Sequence, residues 1–249
     1  MEPEIYKWAG ALGVGIFAGF IGAMVGSGGL ITIPFLIFLG LPAHMAIATH
    51  KFGAVGLKIG ALTKFQKTDL IKWEYIIPFS IIGVVSAIAG AQFLLWIDKE
   101  LLSDLVVILL LAVLPIVFLK KEVGTVFQKK SKMYEGVGYL LFFLAMVFSA
   151  FFGGGAATLI IYILMMFFGF TIIQSSATAM IPALLLNVIA LLIFAYNGIV
   201  NYQVGVCLFL GMLLGGRLGA ITAIEKGNKW VKAIFAIVVM VLIIKIAMK

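Results

Sequence analysis

The sequence predicts an all-α polytopic membrane protein made of two homologous halves, each with about four to five membrane segments and a glycine-rich break. Three observations carry that prediction. First, 64% of the 249 residues are hydrophobic and only 11% are charged, too little charge to cover a water-soluble domain of this length. Second, apolar runs of about 18–25 residues, the length of a membrane-crossing helix, recur from end to end. Third, two of the runs are interrupted by glycine clusters, Gly26-Ser27-Gly28-Gly29 and Gly153-Gly154-Gly155. A helix broken in hydrocarbon frees backbone groups that only protein or trapped water can satisfy. The breaks therefore mark places where the chain does something other than span.

The first run, 8–25, follows the flank Glu2-Pro3-Glu4-Ile5-Tyr6-Lys7. That flank lacks the basic character of a signal-peptide leader, and no cleavage pattern comes after it. The runs 30–41 and 45–63 meet at Gly40-Leu41-Pro42, a helix stop followed by a start. The runs 73–95 and 101–119 are parted by Asp98-Lys99-Glu100. Residues 120–133, with Lys120, Lys121, Glu122, Lys129, Lys130 and Lys132, form the longest polar link. Beyond it lie 134–152, 156–169, 173–195, 202–223 and 230–247, with Asn197-Gly198 marking one of the breaks. The chain thus divides into an N-terminal repeat 1–119, a basic linker 120–133 and a C-terminal repeat 134–249.

The halves align at an offset near 129. Gly40 falls on Gly169, Ala48-Thr49 on Ala177-Thr178, Trp73 on Tyr202, Asn187 on Lys58 and Gly90-Ala91 on Gly219-Ala220; the glycine breaks match at a slightly smaller offset. Duplicated halves with glycine-broken segments in equivalent places are typical of secondary transporters. Lysine distribution orients them, because cytoplasmic loops carry an excess of Lys and Arg. Loops 64–72 and 120–133 are basic and so cytoplasmic. If each break makes a hairpin, each half has five segments, the second half is inverted, and the basic loop 224–229 is cytoplasmic too. A parallel four-plus-four repeat would put that loop outside. The charges favour the inverted repeat. The hairpin arms reach only ~18–27 Å at about 1.5 Å per residue, so the glycines sit deep in the protein.

Ionisable residues inside membrane segments are candidates for function, because holding them there is costly. Well inside the segments lie His50, Lys51, Lys58 and Arg217, while every acidic residue lies in a loop or near a segment end. A watery site lined this way attracts an anion. Lys51 and Lys58 are seven apart, hence on one helix face; snorkelling to the interface is their competing role, and for Arg217 the better one. His50 is either a pH-sensitive group or a histidine satisfied by a carbonyl. Thr49, its copy Thr178, Ser175 and Ser176 offer hydroxyls and helix-start N–H groups to anionic oxygens, with N-capping as the alternative. The candidate substrate-binding set is Gly26, Ser27, Gly28, Gly29, Thr49, His50, Lys51, Lys58, Gly153, Gly154, Gly155, Ser175, Ser176 and Thr178. No metal-ligand spacing, nucleophile–base pair or nucleotide fingerprint is present, so neither a cofactor nor enzymatic activity is expected. The single Cys207 cannot form an internal disulfide. The net charge of +8 speaks for topology and not for nucleic acid.

The run Gly19-Phe20-Ile21-Gly22, Gly26-Ser27-Gly28-Gly29, Pro34, Leu39-Gly40-Leu41-Pro42 and Ala46-Ile47-Ala48-Thr49 resembles the TauE/SafE family of sulfite-exporter-like membrane permeases. The second half is similar through Gly153-Gly154-Gly155, Gly169, Ala177-Thr178, Gly198-Ile199-Val200-Asn201-Tyr202, Gly211, Gly215-Gly216 and Gly219. His50 and Ala179 stand where that family often has serine. The resemblance implies transport of small sulfur-containing or organic anions across a bacterial cytoplasmic membrane. With it, the sequence reads as a multi-pass secondary transporter or facilitator for sulfite, an organosulfonate or a similar oxyanion. Export is the expected direction, since a negative interior favours anion exit by ~2.3 kcal/mol per charge per 100 mV. The expected partners are the anion and the lipid bilayer, with a homo-oligomer as a further option. The alternatives are an anion channel and an accessory subunit without transport activity.

Overall fold

The computed structural model describes residues 2–26, 28–98, 127 and 131–247, with side chains described from 6 to 234 within them. Ser27, the expected segment 101–119 and most of the 120–133 link lie outside the described residues. All regular elements among the described residues are helices: α1 Glu2–Val25, α2 Gly28–Phe38, α3 Ala43–Phe65, α4 Ile76–Trp96, α5 Lys132–Phe151, α6 Ala156–Phe167, α7 Ile172–Tyr196 and α8 Tyr202–Ala247. A short 3₁₀ turn, Trp73–Tyr75, leads into α4. Helix α8 is broken at Gly227, whose φ of 78° and ψ of 177° are not helical; the expected break at 224–229 is there.

Five stretches are long and apolar enough to cross a membrane: Tyr6–Val25, Trp73–Trp96, Lys132–Phe151, Ile172–Tyr196 and Tyr202–Ile234. Helices α2 and α6 are apolar too, but their 11 and 12 residues reach only about 16–18 Å, roughly half of a hydrocarbon core. At 23 residues α3 is long enough. Its His50, Lys51, Lys58 and Lys64 lower its hydropathy, so it is absent from the five.

Side-chain contacts give the relative direction of every long helix. Gly211, Gly215 and Gly219 of α8 meet Leu12, Ile16 and Phe20 of α1, and Gly56 and Gly60 of α3 meet Phe209 and Leu213. Residue numbers rise together in both pairs, so α1, α3 and α8 run parallel. Phe79 stacks on Phe142, Ser86 Oγ donates to Phe143 O, and Gly90 meets Val147, which makes α4 parallel to α5. Gln92 and Trp96 share a groove with Leu192 and Tyr196, and the Lys72 N–H donates to Thr178, which makes α4 parallel to α7. The two sets oppose each other. Asn228, just past the break in α8, accepts from the Ile173 N–H at the start of α7 (3.2 Å), while five residues join the end of α7 to the start of α8. This arrangement gathers Lys64, Lys67, Lys72, Lys132, Lys226 and Lys229 at one face.

Packing crosses between the halves. Helix α8 lies against α1 and α3, and α4 lies against α5 and α7. Small residues allow the close approach that dispersion requires in lipid, where apolar side chains gain nothing by leaving the hydrocarbon. Gly211, Gly215 and Gly219 form the inner edge of α8; Val206, Leu210, Leu214 and Leu218 form its exposed outer edge. A Cβ on Gly215 would lie 2.0 Å from Ile16 O. Gly215→Ala is therefore expected to lower the thermal midpoint of the detergent-purified protein by several degrees, because overpacking costs about 1–3 kcal/mol. Leu214→Ala, which touches only the outer face, is expected to leave the midpoint within about a degree.

Candidate functional site

Both breaks begin the same way. Gly26 and Gly153 carry φ of 78° and 80°, a region that L side chains rarely adopt. Each ends one helix and lets the chain reverse, and α2 starts at Gly28 while α6 starts at Ala156. The two breaks touch each other. A Cβ on Gly29 would lie 2.7 Å from Gly153 O, and one on Gly26 would lie 2.7 Å from the Ala157 carbonyl carbon. Only a pair of glycines lets the backbones come this close.

The last turns of α1 and α5 leave carbonyls without helical partners, and in both cases the opposite half supplies the donor. Ser176 Oγ of α7 donates to Ala23 O (2.6 Å), and Thr158 Oγ1 of α6 donates to Val25 O (3.1 Å). In the other direction, Lys51 Nζ of α3 donates to Ser149 O. The breaks are thus tied by bonds that run from each half to the other.

Around them lies a cavity of about 40 Å³, measured as the space open to the centre of a water-sized sphere. One water needs about 10–15 Å³ on that measure, so the space suits roughly three waters or a small oxyanion head group. Its walls include Gly26, Gly28, Gly29, His50, Lys51, Lys58, Gly153 and Ser176 from the expected set. Lys51 is fully buried, and His50 is 5% exposed. His50 Nδ1 lies 2.7 Å from Thr32 Oγ1, which also lies 3.1 Å from Gly28 O. Lys58 is two turns along α3 from Lys51 and faces the same space. No acidic side chain is among the lining residues. Gly28 and Gly29 at the start of α2 line the cavity, and the start of α6 reaches it through Ala157, which brings the positive ends of two helix dipoles to it.

The other expected residues lie elsewhere. Thr49 Oγ1 accepts from the Asn201 N–H (3.1 Å), and Thr178 Oγ1 accepts from the Lys72 N–H (3.0 Å). Each hydroxyl holds the chain just before the fourth helix of the opposite half. The two bonds join residues at the spacing expected of a repeat, since Thr49 and Thr178, like Lys72 and Asn201, stand 129 positions apart. Ser175 Oγ is buried without a hydrogen-bond partner, and neither it, Gly154 nor Gly155 lines the cavity. Ser27 lies outside the described residues. Arg217 is exposed on the outer side of α8, in keeping with snorkelling. The helix starts that face the cavity are those at the breaks; α3 begins at Ala43, so Thr49 and His50 lie well inside it with their N–H groups bonded in the helix. Residues outside the expected set also bear on the site: Asn187 lines the cavity, and Thr32, the sole polar side chain of α2, touches it through His50. Thr49→Val and Thr178→Val are each expected to lower stability by about 1 kcal/mol, by similar amounts, without changing anion affinity. Paired denaturation and binding measurements check this.

A helical membrane bundle in which two broken hairpins meet over a polar cavity has the architecture of a membrane transporter. Comparison with known proteins agrees. Residues 11–246 match the family described as Sulfite exporter TauE/SafE, and the chain belongs to that family. It is 26% identical to a "Probable membrane transporter protein" of Haemophilus influenzae over 90% of this chain and 88% of that one. It is 27% identical to the "Probable membrane transporter protein YfcA" of Escherichia coli K12, over 90% and 84% of the two chains. A "Probable membrane transporter protein ORF9" of Sinorhizobium sp. is 26% identical over 92% and 88%. No solved structure matches the chain. The protein is a multi-pass membrane transporter.

Proposed function

We propose that this transporter moves a small oxyanion, sulfite or an organosulfonate head group, outward across the cytoplasmic membrane as a secondary transporter or facilitator. The observation that carries this reading is the sign of the cavity. Lys51, Lys58 and two helix N-termini face a space with no carboxylate in its lining. The C-terminal end of α5 offsets part of the Lys51 charge through the Ser149 carbonyl. A helix end supplies only about half a charge, and an unpaired charge in a buried site costs several kcal/mol. An anion held between the two breaks would complete the balance. The small volume supports carriage of a bound ion over conduction through an open pore.

The site lies between a first repeat, 1–119, and a second, 134–249, joined by the basic link 120–133, and we read the repeats as inverted. In support, α1 and α3 run opposite to α5 and α7, and donors cross between the halves at equivalent positions. The face that gathers the lysines is then cytoplasmic. The test is a thermal-shift screen of purified protein against sulfite, selenite, sulfate and methanesulfonate. A raised midpoint with at least one of these anions, and none with sodium or potassium at equal ionic strength, is the expected result. Counterflow in proteoliposomes with an imposed potential tests the direction, and uptake driven by a negative interior would overturn export.

A further inference from the structure

Thr32 fixes what the histidine of the cavity can offer to a ligand. Its hydroxyl lies 2.7 Å from His50 Nδ1 and 3.1 Å from Gly28 O. A hydroxyl carries one proton and a carbonyl oxygen only accepts. Both contacts are hydrogen bonds only if Thr32 donates to Gly28 O and His50 Nδ1–H donates to Thr32. Neutral His50 then holds its proton on Nδ1 and presents the bare lone pair of Nε2. That nitrogen faces the meeting point of the breaks: a Cβ on Gly29 would lie 3.1 Å from it and one on Gly153 3.5 Å. Lys51 Nζ faces the same point, 3.0 Å from the Cβ position of Gly153. An acceptor and an ammonium thus share one small space.

Resting on the anion site proposed above, we infer that its ligand is a hydrogen-bearing monoanion, an oxyanion with one O–H, which of the two anions named there selects sulfite, as hydrogen sulfite, over an organosulfonate head group. The hydroxyl donates to His50 Nε2 while a charged oxygen faces Lys51 Nζ. An anion of the same size and charge without that hydrogen sets a lone pair against a lone pair. Among the described residues that line the space there is no carboxylate. Lys51 and Lys58 on α3 are the charged side chains that line the space, and the polar side chains that α7 adds to the lining, Ser176 and Asn187, are neutral. The Ser149 carbonyl of α5 is already engaged by Lys51. Sites built to bond a substrate hydroxyl discriminate strongly against the analogue that lacks it, because their buried polar group is left unpaired.

The probes are hydrogen sulfite and hydrogen selenite against methanesulfinate, which carries the same charge and replaces the hydroxyl by a methyl group. Kd values are measured by calorimetry at mildly acidic pH on the full chain in lipid nanodiscs. The wild type is expected to favour the hydrogen-bearing anions by about tenfold or more. Thr32→Val frees the ring to place its proton on Nε2, and His50→Gln can turn an amide N–H₂ toward the ligand; each is expected to cut the preference to about threefold or less. Equal affinities in the wild type, or a preference that survives both substitutions, would overturn the inference while leaving the anion site standing. If none of the three anions binds, the site reading falls and this inference with it.

Discussion

Lys51→Met is expected to weaken oxyanion binding by about 100-fold or more, while the protein still inserts and folds. Removing one member of a buried charged contact typically costs about 2–5 kcal/mol of affinity, and every 1.4 kcal/mol or so is tenfold. For stability, two effects oppose each other. The substitution leaves Ser149 O without its Lys51 donor, a loss of about 1–3 kcal/mol for a buried acceptor. It also removes a fully buried charge, and replacing buried charges by apolar groups of similar size is neutral or stabilising by about 1–4 kcal/mol. The net change in the unfolding midpoint without ligand is therefore small. The stabilisation given by the anion in the wild type disappears. Measuring both on one preparation separates the roles: a large drop without ligand and an unchanged anion response would make Lys51 a cap for α5 and nothing more.

Much of this arrangement was legible in the residues because glycine, proline and charge punctuate an apolar chain sharply. Helix α1 stops at Val25 because Gly26 follows, and the break in α8 falls at Gly227 inside the polar stretch already marked as a boundary. Lys51 and Lys58 stood out because charge is expensive in such a run, and their spacing put them on one face. The hydroxyls were harder to place. Thr49 and Thr178 looked like anion donors, yet each accepts a backbone N–H from the opposite half. Knowing that requires the pairing of α3 with α8 and of α7 with α4, which residue spacing within one helix does not contain. The same limit hid Thr32, since its bond to His50 joins different helices. The helix starts themselves were legible, expected at 30, 45, 156 and 173 and found at Gly28, Ala43, Ala156 and Ile172; which of them line the cavity was not. A glycine in the left-handed region ends one helix and frees the next to begin almost at once, so the helix starts that line the cavity lie at the breaks and not at the starts of α3 and α7.

Gly153→Ala and Gly29→Ala are expected to abolish the response to anions, and Gly40→Ala is the control that shows why. Gly153 and Gly40 both hold positive φ, 80° and 92°, so alanine at either carries a strain of about 1–2 kcal/mol. At Gly40 the new Cβ meets nothing within 4 Å, whereas at Gly153 it lies 3.0 Å from Lys51 Nζ and 3.3 Å from His50 Cδ2. Backbone strain is common to both; intrusion on the site belongs to Gly153 alone. Gly29 separates the terms from the other side. It has no positive φ, but its Cβ would press on Gly153 O at 2.7 Å, and neither backbone can swing away as a side chain would. The breaks must part, carrying Lys51 and His50 away from the start of α2. A shift of even about 1 Å is enough to lose most of a positioned charge contact. All three variants should therefore lose a little stability, and only the two at the breaks should lose anion-induced stabilisation and transport. If Gly40→Ala lost the anion response as fully as the other two, general loosening of the fold would explain all three, and the meeting point of the breaks would no longer be the binding site.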